Sequence, residues 1–220
     1  YDNALILSIM CTSYKVTKNS KILEAIDQTF DFLDNEMKTT ENLFFSTQDA
    51  DSEGEEGAYY VWDYSEIKKI LNPKDFNIIS SLWDITKEGD IDGKNVLNVS
   101  KSLDQISEEK NISTLDIDSA ISRAKNNLIE IRQKRIKPRT DKKIVSSWNA
   151  LLISSLCNRY NITNEKKYLE QAKSTAESIL KFNLKNNVLL HTTEGENSFL
   201  EDYSYFISSL FELYNSSLDP

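Results

Sequence analysis

The 220 residues contain one histidine and two cysteines, and each scarcity excludes something. A single imidazole, His191, with no CxxC pair, cannot supply a Cys/His zinc constellation, so no metal or other cofactor is expected. Cys11 and Cys157 lie far apart in apolar helical runs, which predicts buried free thiols in a reducing compartment and a cytoplasmic setting. No apolar run approaches the roughly 20 residues that cross a bilayer, and no signal peptide is visible. Basic residues are also in deficit: 26 Lys and Arg against 35 Asp and Glu leave a net charge of −9. That balance argues against a nucleic-acid surface and against docking on anionic lipid. An initiator methionine is missing too, and a start at Tyr1 inside an apparent helix predicts a piece of a longer protein.

What is present is concentrated in residues 43–62. Phe44-Phe45 and Tyr59 to Trp62 flank a glycine-containing segment that carries Asp49, Asp51, Glu53, Glu55 and Glu56. Aromatic and β-branched runs around such a turn predict a β-hairpin with a long loop in a mainly helical chain. In extended backbone Asp49 and Asp51 would face one side, about 6.6 Å apart between Cα atoms. That spacing suits hydrogen bonds to sugar hydroxyls, or acid–base work by paired carboxylates, with these two residues catalytic. A calcium loop is the rival, but its twelfth position is Tyr60, where a bidentate Glu is required. Tyr60 and Trp62 would share one strand face, either as core or as stacking platforms.

The remainder alternates two kinds of helix. Residues 4–14 carry no charge and predict a helix buried on every side. Residues 20–37 carry one apolar stripe, Ile22, Ile26, Phe30, Leu33 and Met37, and predict an outer amphipathic helix. The pair returns as an uncharged run at 148–156 and an amphipathic one at 164–182, and a third uncharged run covers 203–211. Each uncharged run opens with an aromatic residue beside Asp or Asn: Tyr1-Asp2-Asn3, Trp148-Asn149 and Asp202-Tyr203. Inner and outer helices in alternation predict one mainly α domain over residues 1–220, a partial (α/α)6 toroid with its polar helix starts at one end. There Trp148 and Tyr203 would offer flat faces to a sugar ring, and Asp2, Asn3, Asp141, Lys143, Asn149 and Asp202 would orient its hydroxyls. Ser198 and Glu201 have capping-box spacing, and His191, in an apolar strand-like stretch, is expected to be structural. Between the helix pairs the pattern predicts a helix from Asp63 to Leu71 ended by Pro73, another over 74–83, and a strand over 95–99. Residues 100–114 read as loosely structured, and a helix over 117–135 is stopped by Pro138.

Six motifs occur in order: Tyr1-Asp2-Asn3-Ala4, Phe44 to Ser46 with Asp49-Ala50-Asp51-Ser52, Gly57 to Trp62, Gly93 to Leu97, Trp148-Asn149 and Phe199 to Tyr203. Together they resemble the thioredoxin-domain-containing, spermatogenesis-associated protein 20 (YyaL-like) family. The resemblance implies an N-terminal thioredoxin-like domain, absent here, followed by an (α/α)6 toroid similar to six-hairpin glycosidases and N-acylglucosamine 2-epimerases. The chain would then be the middle of that toroid, an open arc. A sugar or other small molecule is the implied ligand and the thioredoxin-like domain the implied partner, with self-association through exposed inner helices. A non-catalytic scaffold serving the redox domain is the alternative. One departure stands out: the family usually has glycine after Trp-Asn, where this chain has Ala150, whose methyl would crowd a close approach.

Overall fold

Apolar runs of helical period dictate most of the secondary structure. The computed structural model describes residues 1–219. In chain order its helices are α1 (Asp2–Thr17), α2 (Ser20–Phe32), α3 (Tyr64–Ile70), α4 (Pro73–Leu82), α5 (Leu103–Lys110), α6 (Thr114–Arg132), α7 (Ser146–Thr163), α8 (Lys166–Phe182) and α9 (Leu200–Ser217). A π-helical turn, Leu33–Met37, extends α2. The strands are dipeptides: β1 (Thr47–Gln48), β2 (Asp51–Ser52), β3 (Glu55–Glu56), β4 (Thr140–Asp141), β5 (Leu184–Lys185) and β6 (Val188–Leu189), paired antiparallel as β1–β4, β2–β3 and β5–β6. Two units result: Tyr1–Gln48 with the residues from Thr140 onward, and Asp49–Arg139.

The first unit is organised around α7. Its small and apolar residues, Ser146, Ala150, Ile153, Ser155, Leu156 and Cys157, are all fully buried. Both α1 and α9 run parallel to it. Tyr1 stands beside Trp148, and seven residues further along α7 the Ser155 hydroxyl donates to the Ala4 carbonyl (2.6 Å). Ser147 meets Asp202, and Asn161 meets Ser216, the same advance on both helices. Helices α2 and α8 add their apolar stripes, Ile26 and Phe30 from one and Tyr168, Ala172, Ala176 and Ile179 from the other. Arg159 is fully buried and ties three helices together. Its guanidinium meets Asp27 of α2 (2.7 Å) and Glu165 (2.8 Å) and covers the Tyr168 ring at 4.6 Å. A buried cation is tolerated here because every part of it is paired.

The expectation that the first uncharged helix is buried on every side fails. Only Ala4, Leu7 and Cys11 of α1 are buried, while Leu5, Ile6 and Ile9 are exposed, the last at 68%. On α9 the outer face likewise exposes Ile207, Phe211 and Tyr214. Lack of charge fits either a doubly buried helix or one with an uncovered apolar side, and among the described residues nothing covers these two faces.

In the second unit, α3 to α6 close over Trp62, Ile67, Ile79, Leu82, Trp83, Ile106, Ile117 and Leu128. Arg123 of α6 makes a bidentate pair with buried Asp75 (2.9 and 2.7 Å) and holds that carboxyl below the usual carboxylate range. Arg135 donates to the carbonyls of Ala58, Tyr59 and Val61, pairs with Glu66, and stacks 3.9 Å from the centre of the Trp62 ring. Gly89 adopts φ +68, and a Cβ there would lie 2.5 Å from the Gly93 backbone, so no larger residue fits.

Several local expectations change. Pro73 opens α4 rather than merely ending α3, since proline suits the first helical position. Residues 103–110 are helical because Ser102 and Gln105 form a reciprocal capping box. Asn95 makes one bridge, to Trp62, and no strand runs on to residue 99. The aromatic runs around the acidic turn do not pair with each other: Phe44 bridges Lys38, Trp62 bridges Asn95, and the hairpin shrinks to residues 51–56.

Candidate functional site

Three helix starts share one end of the first unit, because α1, α7 and α9 are parallel. Tyr1, Val145 and Phe199 are the residues that precede them. The half-buried ring of Trp148 lies 5.0 Å from that of Tyr1, tilted by 49°. A narrow groove beside them is lined by Tyr1, Asn3, Phe45, Ser46, Trp148 and Asn149. The Asn149 amide is already committed. Its Oδ1 accepts from the Phe44 N–H (2.7 Å), and its Nδ2 donates to the carbonyls of Phe44 (3.0 Å) and Val145 (2.9 Å). Asn149 therefore fixes the loop that forms one wall, and Ala150 behind it is fully buried in the core.

At the start of α9 the β5–β6 hairpin delivers His191. Its backbone N–H donates to Asn197 (2.8 Å), and its carbonyl accepts from Ser146 (2.8 Å). The ring Nδ1 lies 3.0 and 3.1 Å from the two carboxylate oxygens of Asp202. Asp202 is fully buried and also accepts the backbone N–H groups of Phe199 (3.1 Å) and Ser147 (3.2 Å). An ionised carboxylate only accepts, so a neutral imidazole in this position carries its proton on Nδ1 and leaves Nε2 its lone pair. Among the described residues Nε2 has no partner. The Phe199 ring meets the imidazole edge-on at 4.9 Å. Over this dyad lies a shallow basin of about 520 Å³, lined by His191, Phe199, Leu200, Glu201 and Ser204.

His191, Glu201 and Asp202 bring ligand-type atoms within 4.8 Å of one another. With the oxygens of Asp202 spent on two amides and the imidazole, the trio is better suited to sharing a proton than to enclosing a cation. The predicted capping box shifts by one residue: Asp202 caps the Phe199 N–H, while the Ser198 hydroxyl donates to the Leu189 carbonyl (2.6 Å).

Other candidates fall as follows. Asp2 and Asn3 are exposed in the first turn of α1. The Tyr203 hydroxyl accepts the Leu189 N–H (2.9 Å). Asp141 pairs with Lys143 (3.0 Å) beside a smaller depression of about 260 Å³ that also includes Thr192 and Glu194. In the second unit Asp49 and Asp51 are exposed, a bend at Ala50 separates them, and the Asp49 carboxylate accepts the Asp51 N–H (3.4 Å). They are thus not neighbours on one extended strand face. Tyr60 is exposed and Trp62 is buried beneath Arg135, so these two do not share a face either. No sequence spacing marks His191 and Asp202 as partners; the loop leading into α9 folds back and brings them together across 11 positions.

No protein-family model matches the chain. Across 98% of its length it is 27% identical to an uncharacterised protein of Caenorhabditis elegans, of which it covers 35%. It is 25% identical to human spermatogenesis-associated protein 20 across 79% of the chain and 27% of that protein. The rat protein of the same name is 22% identical across 99% of the chain, which covers 32% of it. The chain is thus similar, over most of its length, to proteins named spermatogenesis-associated protein 20. It spans about a third of the length of the curated relatives it matches. Among the described residues, no helix is long and apolar enough to cross a membrane.

Proposed function

We propose that the shared end of α1, α7 and α9 is part of the ligand-facing end of an (α/α) toroid and takes a sugar or similar polyhydroxylated small molecule. The Tyr1–Trp148 pair carries this proposal. Two tilted rings beside the Asn3 amide and the Ser46 hydroxyl give apolar contact for the C–H face of a sugar and polar contact for its hydroxyls. Asp2, Asp141 and Lys143 add charged groups able to orient hydroxyls. Asn149, Asp202 and Tyr203 act from behind, by holding the walls. In the second unit Asp49 and Asp51 are the exposed carboxylates to test for acid–base work.

The experiment is a titration of the protein with a panel of mono- and disaccharides, followed by tryptophan fluorescence and calorimetry. Saturable binding is expected, weakened about tenfold by Trp148→Ala, as the loss of one stacking face implies. Pairing Asp49→Asn with Asp51→Asn asks whether those carboxylates contribute. If neither this chain nor a full-length relative binds any sugar, the proposal fails.

The exposed apolar faces of α1 and α9 support a second reading, a non-catalytic scaffold that docks a thioredoxin-like domain of a longer protein. Cross-links from such a domain to Ile9 or Phe211 in a full-length relative would favour it; cross-links confined to other surfaces would sink it.

A further inference from the structure

We propose that His191 is a general base: its Nε2 removes the proton of a hydroxyl held in the basin over the start of α9, and Asp202 is its positioning residue. The substrate class, a hydroxyl of a polyhydroxylated small molecule, rests on the sugar reading above; the dyad itself does not.

The geometry has the elements such a base requires. Asp202 cannot swing away, because the backbone N–H groups of Phe199 and Ser147 hold its carboxylate in the fully buried position from which it meets Nδ1. That contact fixes both tautomer and ring plane, as a carboxylate does for any imidazole that must present its far nitrogen. The side chain is 27% exposed, enough for Nε2 to meet a small molecule in the basin. The first turn of an 18-residue helix adjoins it, and its amide dipoles favour negative charge developing on an oxygen there. Helix stitching alone does not need the imidazole, since Asp202 already caps α9 and reaches the first turn of α7. In the step the hydroxyl O–H bond breaks, its proton bonds to Nε2, and the electron pair stays on oxygen. The resulting imidazolium keeps its Nδ1–H on Asp202, and no oxidant, reductant or co-reactant enters.

Because His191 is the only imidazole in the chain, the ultraviolet absorbance of N-carbethoxyimidazole reports on it alone. Diethyl pyrocarbonate transfers its carbethoxy group to an unprotonated ring nitrogen, with loss of ethanol and carbon dioxide. A single fast acylation is expected, roughly tenfold slower in Asp202→Asn, whose amide neither fixes the Nδ1–H tautomer nor raises the basicity of the ring as the carboxylate does. Nitrogen-15 NMR of the unmodified protein reads the same dyad without a variant, so a poorly folded Asp202→Asn does not remove the test. The Nδ1–H tautomer is expected; the Nε2–H tautomer would overturn the dyad, as would equal acylation rates in two folded proteins. A sugar found in the titration should protect His191 from acylation, and a sugar that binds without protecting it would overturn its role at the ligand. Failure of every sugar to bind, with tautomer and rate as expected, would count against the sugar reading and leave the dyad standing.

Discussion

Asn149 grips both backbone polar groups of Phe44, a residue 105 positions away: its Oδ1 takes the amide proton at 2.7 Å and its Nδ2 meets the carbonyl at 3.0 Å. The side chain pairs with that residue much as a neighbouring strand would, in a place where water cannot substitute. Asn149→Ala should therefore leave two buried backbone groups unpaired and cost roughly 2–4 kcal/mol in urea unfolding. Asn149→Asp keeps the acceptor, loses the donor and adds a buried charge, so it should be no milder than the alanine variant. A loss below about 0.5 kcal/mol would mean that the loop stays closed without this grip.

Arg135, just past the end of α6, should matter well beyond that helix. Its guanidinium meets three carbonyls, a carboxylate and the face of Trp62, and lysine cannot reproduce that planar fork. Both Arg135→Ala and Arg135→Lys are expected to lose roughly 2–4 kcal/mol, with Trp62 fluorescence shifting toward that of an exposed indole. Full stability in the lysine variant would show that charge alone suffices.

The Arg123–Asp75 pair predicts a pH dependence. Arg123 is the largest cause of the lowered carboxyl pKa of Asp75, and the Asn72 amide adds to it. A carboxylate lowered in the folded state stabilises the fold fully above its unfolded value, about 3.9. That contribution is lost as the pH falls through the lower folded value. Urea midpoints measured from neutral to acid pH should drop in that window, and Arg123→Ala should flatten the drop. An unchanged acid limb in the variant would remove the pair from the account.

Burial pushes the Cys11 thiol up to about 11 and the Cys157 thiol up to about 12. Thiolates are the reactive form, so neither cysteine should label with a disulfide reagent in mildly alkaline buffer until urea unfolds the chain. Labelling of either in the folded protein would contradict the packing around α7.

The apolar faces of α1 and α9 predict concentration-dependent association of this chain. Ile9→Glu combined with Phe211→Glu should shift sedimentation toward the monomer. A monomer at every concentration before mutation would dismiss the prediction.

Helix alternation was readable because apolar spacing is a local property. Ile22, Ile26 and Phe30 recur at helical period whatever they pack against, and so do Tyr168, Ala172 and Ala176. The shared start of α1, α7 and α9 was readable too, from an aromatic residue beside Asp or Asn at three places. Which side chains at that end are free was not. Asn149 and Asp202 look like ligand-facing polar groups in the sequence, yet Phe44, Ser147, Phe199 and His191 consume their hydrogen bonds. Asp49 and Asp51 look like a facing pair until a bend at Ala50 parts them.

The sequence by itself determined where most of the helices lie, α5 excepted, and which stripe of each amphipathic helix turns inward, because both follow from the period of apolar residues. It also determined the acidic balance and the solitary imidazole. Only tertiary structure decided where that imidazole sits and what it meets. A hairpin and a helix cap, each local and unremarkable, converge on one buried carboxylate, and hydrogen bonds across 11 and 55 positions turn a histidine read as structural into one with an oriented, unspent nitrogen.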